Sequence, residues 1–376
     1  MTDGVEEAFA ASTDATIGLE EEFALLDPHS LEMVPRYEEL RDACDGELAQ
    51  SVAGELIVSE IEIRSGRGDS FAAAVAAQRD HRRGLFAAAE AKGIALGSTG
   101  THPWADYRDV EFIDTEHYRR VSEGLQLVAR RNVTFSLHVH VGIKGADRAI
   151  KVCDRLRPVL PQLLAISANS PFVDGLDSGL HSARTQLFTK SFPRCGIPDP
   201  FGTWDEYRRY IEFLEKTNSI VEYTQVWWSV RPHFSFGTVE VRICDAQSTA
   251  TESEALAGLI AGCVLQAARD IDDGKSFEAP AGRLIEENFW RAIRHGRDGR
   301  LIDLTSAREV EMDAVIDQLL HWTAPVRGEH GIEVELPRRG GAQRQRESLR
   351  GMSLREAYAA TVAETRQSYT QEVSAA

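Results

Sequence analysis

The chain has no apolar run approaching the ~18 residues that would span a membrane. Paired cysteines are absent too. Cys44, Cys153, Cys195, Cys244 and Cys263 lie far apart and form no CxxC, so neither a zinc site nor a disulfide framework follows. No GxGxxG or GxxxxGK[ST] occurs, and the strand-like segments do not alternate regularly with helical ones, which argues against a doubly wound nucleotide-binding fold. Positive charge is in short supply. Forty-two Lys and Arg against 59 Asp and Glu leave a net charge of −17, which disfavours nonspecific binding to nucleic acid or anionic membranes because like charges repel. Met1 to Asp14 is acidic and lacks the basic and apolar regions of a secretory leader, so the cytoplasm is the expected compartment.

What is present belongs to an ordinary soluble globular protein, with 43% hydrophobic and 27% charged residues. At 376 residues the chain can bury a large core in one elaborate domain. The expected division is a loose acidic arm over 1–15, a single catalytic domain over 16–365 and a polar tail over 366–376. Four short stretches carry the strongest pattern: Gly18–Phe23, Ser59–Arg64, Ser136–Val141 and Thr238–Ile243. Side chains alternate across a strand with period two. Val133, Phe135, Leu137, Val139 and Val141 therefore face one way, and Ser136, His138 and His140 the other. The same split sets Val239, Val241 and Ile243 against Glu240 and Arg242, and Ile61 and Ile63 against Glu60, Glu62 and Arg64. Each polar face alone reads as a solvated strand edge, a hydrogen-bonded histidine pair or a surface ion pair. Four together point to a site for divalent cations and a phosphorylated ligand.

Between these stretches, residues 70–92 read as a long alanine-rich helix, Ile94–Gly97 as a short strand, and 116–130 and 146–168 as helices. Asn169 to Thr203 is loop-rich, with four prolines and repeated glycines, and it carries Arg184. A helix at Trp204–Thr217 and a strand near Val221–Ser229 precede the Glu240 strand, and the pattern from Glu252 onward is mostly helical. The basic run from Arg338 to Arg346 reads as a solvated loop. This layout predicts an α+β fold: a curved, mainly antiparallel sheet with helices packed on one face.

A set of carboxylates with one neutral imidazole suits Mg2+ or Mn2+, which prefer oxygen ligands. Arg64, Arg184, Arg231 and Arg242 offer forks for phosphoryl or carboxylate oxygens. On straight-strand parity, Glu60 and Glu62 are equal candidates for a ligand.

The motifs Thr16-Ile-Gly-Leu-Glu-Glu-Glu-Phe-Ala-Leu-Leu-Asp27, Leu137-His-Val-His-Val-Gly142 and Ser167-Ala-Asn-Ser-Pro-Phe172 resemble those of the type 2 glutamate–cysteine ligases, also called carboxylate–amine ligases. Gly175-Leu-Asp-Ser-Gly179, Gly237-Thr-Val-Glu-Val-Arg242 and Glu287-Asn-Phe-Trp-Arg-Ala292 carry the same resemblance, which runs from about residue 16 to about 365. It implies a glutamine-synthetase-like catalytic fold. It implies Glu22, Glu55 and Glu62 around one Mg2+, and Glu20, His138 and Glu240 around a second, with Glu20, His138, His140 and Glu240 near the nucleotide. Glu55 precedes Glu62 by seven residues, an odd spacing that requires a bulge or turn between them. Arg184, Arg242 and Arg231 match positions facing the transferred phosphate or the glutamate carboxylate.

The activity implied is ATP-dependent joining of the γ-carboxylate of glutamate to the amine of cysteine through an acyl phosphate, with ADP formed, as in glutathione biosynthesis. A homodimer is implied as well. A ligase using another amine or carboxylate, and a non-catalytic nucleotide- or metal-binding relative, are the alternatives. Val173 and Leu180 depart from the family's usual aromatic residues in the loop expected to line the acceptor pocket.

Overall fold

The alternating stretches become neighbours in one seven-stranded sheet of the computed structural model, which describes residues 4–371. Its strands are β1 (Ile17–Leu26), β2 (Val52–Ala53), β3 (Glu60–Arg64), β4 (Ala95–Gly97), β5 (Ser136–Gly142), β6 (Val230–His233) and β7 (Thr238–Asp245). The spatial order is β6-β7-β5-β1-β3-β2, with β4 also pairing β1, and every pairing is antiparallel. Pro232 sits in β6, an edge strand, where a missing N–H removes no ladder bond from a central position. The fold is α+β with a mainly antiparallel sheet, as the pattern predicts.

The odd-numbered residues of β1 and β5, and of β7 before its bulge, form the core face. Ile17, Leu19, Leu137, Val139, Val141, Val239 and Val241 are all buried and share one cluster with residues of α4 (Ala146–Leu156), α5 (Leu160–Ser167) and α7 (Ala250–Asp272). Farther along β1, Phe23 and Leu25 join Ile61 and Ile63 of β3 against Leu85, Phe86 and Ala89 of α2 (Phe71–Ala91). The other face stays open except at one end. There β1 turns apolar at Ala24 and Leu26, which cluster with Val121 of α3 (Glu116–Leu125) and with Ala129. The expected helix over 146–168 is broken between Leu156 and Leu160. Pro158 lacks the N–H that a continuing helix needs.

Glu21 lies on the core face, where an unpaired charge is costly. Arg82 of α2 donates to both its oxygens at 2.7 Å, Gln78 donates at 2.9 Å, and the Ser253 hydroxyl of α7 donates as well. Burial opposes the Glu21 charge, but the Arg82 guanidinium outweighs it and holds the carboxyl below its ordinary range. Arg82 also meets Glu254 at 2.6 Å, so one buried guanidinium ties the sheet to both long helices.

Three expectations are corrected. The described part of the 1–15 arm is not loose: Val5–Ala11 forms α1, Phe9 is fully buried 6.5 Å from the Trp204 ring, and the Ser12 hydroxyl donates to the Gly237 carbonyl at 2.7 Å. Val5 and Phe9, four residues apart, place their side chains on one helix face. The domain does not stop at 365, because α10 (Leu354–Thr370) continues and buries Tyr369; residues 372–376 of the expected tail lie outside the described residues. Here α6 (Trp204–Lys216), α8 (Gly282–His295) and α9 (Met312–Glu329) complete the numbering of the longer helices, and a hairpin (Arg300–Asp303 with Arg308–Glu311) interrupts the helical C-terminal part. Of the strand expected near 221–229, only Trp227–Trp228 is extended, and it pairs with Cys195–Gly196. No helix among the described residues is long and apolar enough to cross a membrane.

Two predictions follow from the buried polar groups. Arg82→Met strands Glu21 without its partner, and the protein should lose about 3–5 kcal/mol of stability in urea unfolding. His102 is buried, its Nε2–H donating to the Leu31 carbonyl at 2.8 Å, and burial lowers its pKa from 6.5 to about 4. The unfolded chain therefore takes up this proton first as pH falls. The contribution is whole above pH 6.5 and lost between 6.5 and about 4, amounting to about 3 kcal/mol. His102→Gln should flatten the fall in unfolding free energy over that window relative to wild type.

Candidate active site

The open face of the sheet carries the polar halves of five strands. Register brings them together: Glu20 lies opposite His138 and Arg64, Glu22 opposite Glu62, and Glu240 opposite both His140 and Arg231. These residues line a cavity of about 360 Å³ with Glu55, Glu60, Arg184 and Arg242. Gly142, at the end of β5, leaves no room for a side chain, because a Cβ there would lie 2.2 Å from the Thr13 carbonyl.

Glu55 is not on a straight strand. Residues 54–59 cross as an irregular segment that touches residue 112 through an isolated bridge at Ile57, and regular pairing resumes at Glu60. This turn resolves the odd spacing. Glu22, Glu55 and Glu62 each offer an oxygen within 4.8 Å of the others. Two further groups meet the same condition: Glu20, Glu62 and His138, and Glu20, His140 and Glu240. The set Glu20, His138 and Glu240 does not gather at one point among the described residues. His138 and His140 stand about 7 Å apart along one strand face, and the register gives Glu240 to His140. Glu60 is buried on the same face and lines the cavity, but it joins none of these groups.

Charge is unevenly balanced across this face. Burial opposes the Glu240 charge, but Arg231, whose Nε donates at 2.6 Å, and Arg242, which donates to its other oxygen, hold it well below the carboxylate range. Glu20 is held low against burial by His140 and His138, with nitrogens 3.3 Å and 3.2 Å away. His140 is raised despite its burial by Glu20 and Glu240, whereas burial and then Arg242 lower His138. At the β3 end the balance fails. Burial and then Glu22 push Glu55 up to about 8, burial and then Glu22 raise Glu60, and burial and then Glu20 raise Glu62. These carboxyls lack enough positive charge among their protein neighbours.

The donor set fits divalent cations. It is carboxylate-rich with a minority of imidazole, and His140 Nε2 is buried with no hydrogen-bond partner although two carboxylates approach it. Glu22, Glu55 and Glu62 could hold one cation, and Glu20 another, either with His140 and Glu240 or with Glu62 and His138.

The arginines divide by role. Arg231 is consumed by Glu240 and by the carbonyls of Thr224 and Val226 at 3.1 and 2.7 Å, so it holds Glu240 rather than reaching for a ligand. Arg184 arrives from the 169–203 segment and donates to the carbonyls of Ile243 and Arg242 at 3.1 and 3.2 Å. Those carbonyls sit where β7 slips register against β5 between Val241 and Cys244, a bulge that frees them from the ladder. The segment is pinned by Asp245, which accepts from the Asn169 N–H at 2.8 Å and from the hydroxyls of Ser170 and Ser182 at 2.6 and 2.9 Å. The Nε atoms of Arg184 and Arg242 remain buried and unpartnered, two donors available to an anion.

Sequence reasoning missed several members. The Ser136 hydroxyl donates to Glu22 at 2.7 Å and lies 2.8 Å from His138 Nε2, a role its parity with His138 could have indicated. Thr238 Oγ1 lies 3.0 Å from His140 Nδ1. Tyr118, Asn132, Phe188 and Phe192 line the cavity from segments outside the sheet, where no strand pattern marks them; Thr134, which parity sets on the face of His138, and Trp227 line it too. Val173 and Leu180 do not line it. Val173 sits in a short hairpin with Leu176, beside His102 and Arg131, and Leu180 packs on the core. A second, more apolar cavity of about 470 Å³ adjoins the first, sharing Glu20, Arg64, His140 and Phe236 and bounded by Ile17, Gly18, Leu19, Gly66 and Ser235.

Comparison with known proteins places this geometry in context. The family model described as glutamate-cysteine ligase family 2 matches residues 16–364. A protein of Rubrobacter xylanophilus, provisionally named glutamate–cysteine ligase 2-3, is 38% identical over 333 residues, covering 88% of this chain and 90% of its own. A Solibacter usitatus protein provisionally named glutamate–cysteine ligase 2 is 36% identical over 322 residues, covering 85% and 83%. Among solved structures, the glutamate–cysteine ligase of Francisella tularensis in complex with AMP superposes with a TM-score of 0.71 at 11% identity, over 96% of this chain and 90% of that one. A bifunctional glutathione synthetase from Pasteurella multocida superposes with a TM-score of 0.69 at 12% identity, covering 98% of this chain and 54% of that one. These structures share the glutamine-synthetase-like fold.

The charge imbalance makes a prediction. Mn2+ or Mg2+ should raise the melting temperature, and EDTA should reverse the rise. Glu62→Gln should lose most of that shift while melting no lower than wild type without metal, because it removes a repelled carboxyl. Glu60→Gln should keep more of it, as differential scanning fluorimetry would read.

Proposed function

The chain belongs to glutamate-cysteine ligase family 2, and on that premise we propose that it is an ATP-dependent carboxylate–amine ligase joining the γ-carboxylate of glutamate to the amine of cysteine. The observation that carries this reading is the row of carboxylates and imidazoles lining one cavity, with Glu20 and His140 at its border with a second. A phosphoryl group passing over that row has a nucleoside on one side and a carboxylate acceptor on the other.

The apolar second cavity suits the base and ribose of ATP, whose phosphates would point over Glu20 and His140 toward the first. Glutamate would lie in the first cavity. A carboxylate is a poor electrophile, and transfer of the γ-phosphoryl group to it gives an acyl phosphate with ADP leaving. Bound at the carboxylate groups, Mg2+ or Mn2+ would neutralise charge on the phosphoryl oxygens. Arg184 and Arg242 would aim their unpartnered Nε–H groups at the same oxygens or at a substrate carboxylate, donors already fixed by carbonyls and by Glu240. The acceptor amine would then attack the acyl carbon, and the tetrahedral intermediate would expel phosphate. Glu60, which lines the same cavity and belongs to none of the three ligand groups, would take the ammonium proton as carboxylate. The wall formed by Phe188, Phe192 and Trp227 suits an acceptor with a small apolar or sulfur-bearing side chain. A cytoplasmic setting, where ATP and free amino acids meet, accords with this chemistry.

The test is ADP release with ATP, Mg2+ and a panel of amino acids. Glutamate with cysteine should be the active pair. Turnover with another pair keeps the ligase chemistry and changes the substrates, and no turnover with any pair favours a non-catalytic relative. Glu240→Gln and His138→Ala should each lower turnover by at least about a hundredfold with an unchanged circular dichroism spectrum; undiminished turnover in both would overturn the assignment.

A further inference from the structure

Glu55 is the one carboxylate of the three groups that no strand holds. It is crowded by like charge, offering an oxygen within 4.8 Å of those of Glu22 and Glu62. Its backbone is held from outside the strand ladder. The backbone of 54–58 is hung on the residues just before α3, with the Val58 N–H donating to the Glu111 carbonyl at 3.1 Å and the Ile113 N–H to the Leu56 carbonyl at 3.2 Å. At the residue beside Glu55, the attachment is a side chain. The Tyr118 hydroxyl of α3 donates to the Gly54 carbonyl at 2.7 Å.

Gly54 permits this closeness. A Cβ there would lie 2.5 Å from Ile113 Cδ1 and 2.7 Å from Tyr37 Cζ, so any side chain would push the segment off its seat. The helix is braced at the cavity mouth, where His117 Nδ1 meets the Glu222 carboxylate across the opening. Both residues line the cavity.

We infer that Tyr118 is a positioning residue, which sets Glu55 into the carboxylate cluster through the Gly54 carbonyl and so tunes cation affinity from outside the ligand set. The inference rests on the cation-binding reading above. The hydroxyl restrains a backbone segment that like charges press outward, and a cation bound at Glu22, Glu55 and Glu62 would otherwise have to draw that segment in at the expense of its own binding.

The test is Mn2+ binding to the full-length protein, followed by the electron paramagnetic resonance of the free ion, with no turnover involved. Tyr118→Phe keeps the ring and removes the hydroxyl, and its Kd for Mn2+ should rise roughly three- to tenfold. In the Mg2+ dependence of ADP release, the half-saturating Mg2+ should rise by a similar factor while saturating Mg2+ restores kcat. Gly54→Ala, which displaces the same segment from the other side, should weaken Mn2+ binding too. A Tyr118→Phe protein that binds Mn2+ as wild type does overturns the inference alone, including one with a raised amine KM, which would make the hydroxyl a substrate contact, or a lowered melting temperature, which would make it merely structural. A wild-type protein that binds no Mn2+, or a Glu55→Gln variant that binds it undiminished, overturns the cation reading and this inference with it.

Discussion

Carboxylates crowd one end of an otherwise ordinary antiparallel sheet, and the rest of the molecule is arranged around the need to hold them together. Glu55, Glu60 and Glu62 face one cavity with too little positive charge among their protein neighbours, whereas Glu240 is flanked by Arg231 and Arg242. Left to themselves such groups either protonate or move apart. The fold forbids movement by placing Glu22 and Glu62 on paired strands whose opposite faces are locked in the core. The β3 end of the face therefore carries more negative charge than its protein neighbours offset.

The opposite face shows the contrasting solution. Glu21 is as buried as its neighbours on β1, yet its charge is met within the protein by Arg82, Gln78 and Ser253. One strand thus carries carboxylates of two settings in alternation: Glu21, met by a guanidinium and fastening helices, and Glu20 and Glu22, which open on a cavity beside other carboxylates. The difference lies in what packs opposite each face, and it separates structural from functional acid residues more sharply than burial does.

How much of this was legible in the chain depended on whether period two held. Along β1, β5 and the part of β7 before its bulge it did, so Glu20, Glu22, His138, His140 and Glu240 could be assigned to the polar faces of their strands before any coordinates. Pairing was less accessible, because alternation gives the face and not the register; this is why Glu240 meets His140 where the resemblance implied His138. Glu55 was beyond parity, since the irregular segment before Glu60 erases it. The seat of Arg184 depends on carbonyls exposed by a register slip and on a buried aspartate more than 60 positions away, neither of which leaves a local trace. The N-terminal helix was obscured by acidic composition, although Val5 and Phe9 carried its spacing.

The slip in β7 also constrains the gene. Between Val241 and Cys244 that strand spends three steps where its partner spends two, so that Cys244 meets Leu137 and Asp245 meets Ser136. Removing one codon there would leave two steps against two, with Cys244 and Asp245 still opposite Leu137 and Ser136, and would abolish the bulge whose carbonyls seat Arg184. Homologous chains can therefore drift in composition through this stretch more readily than in length.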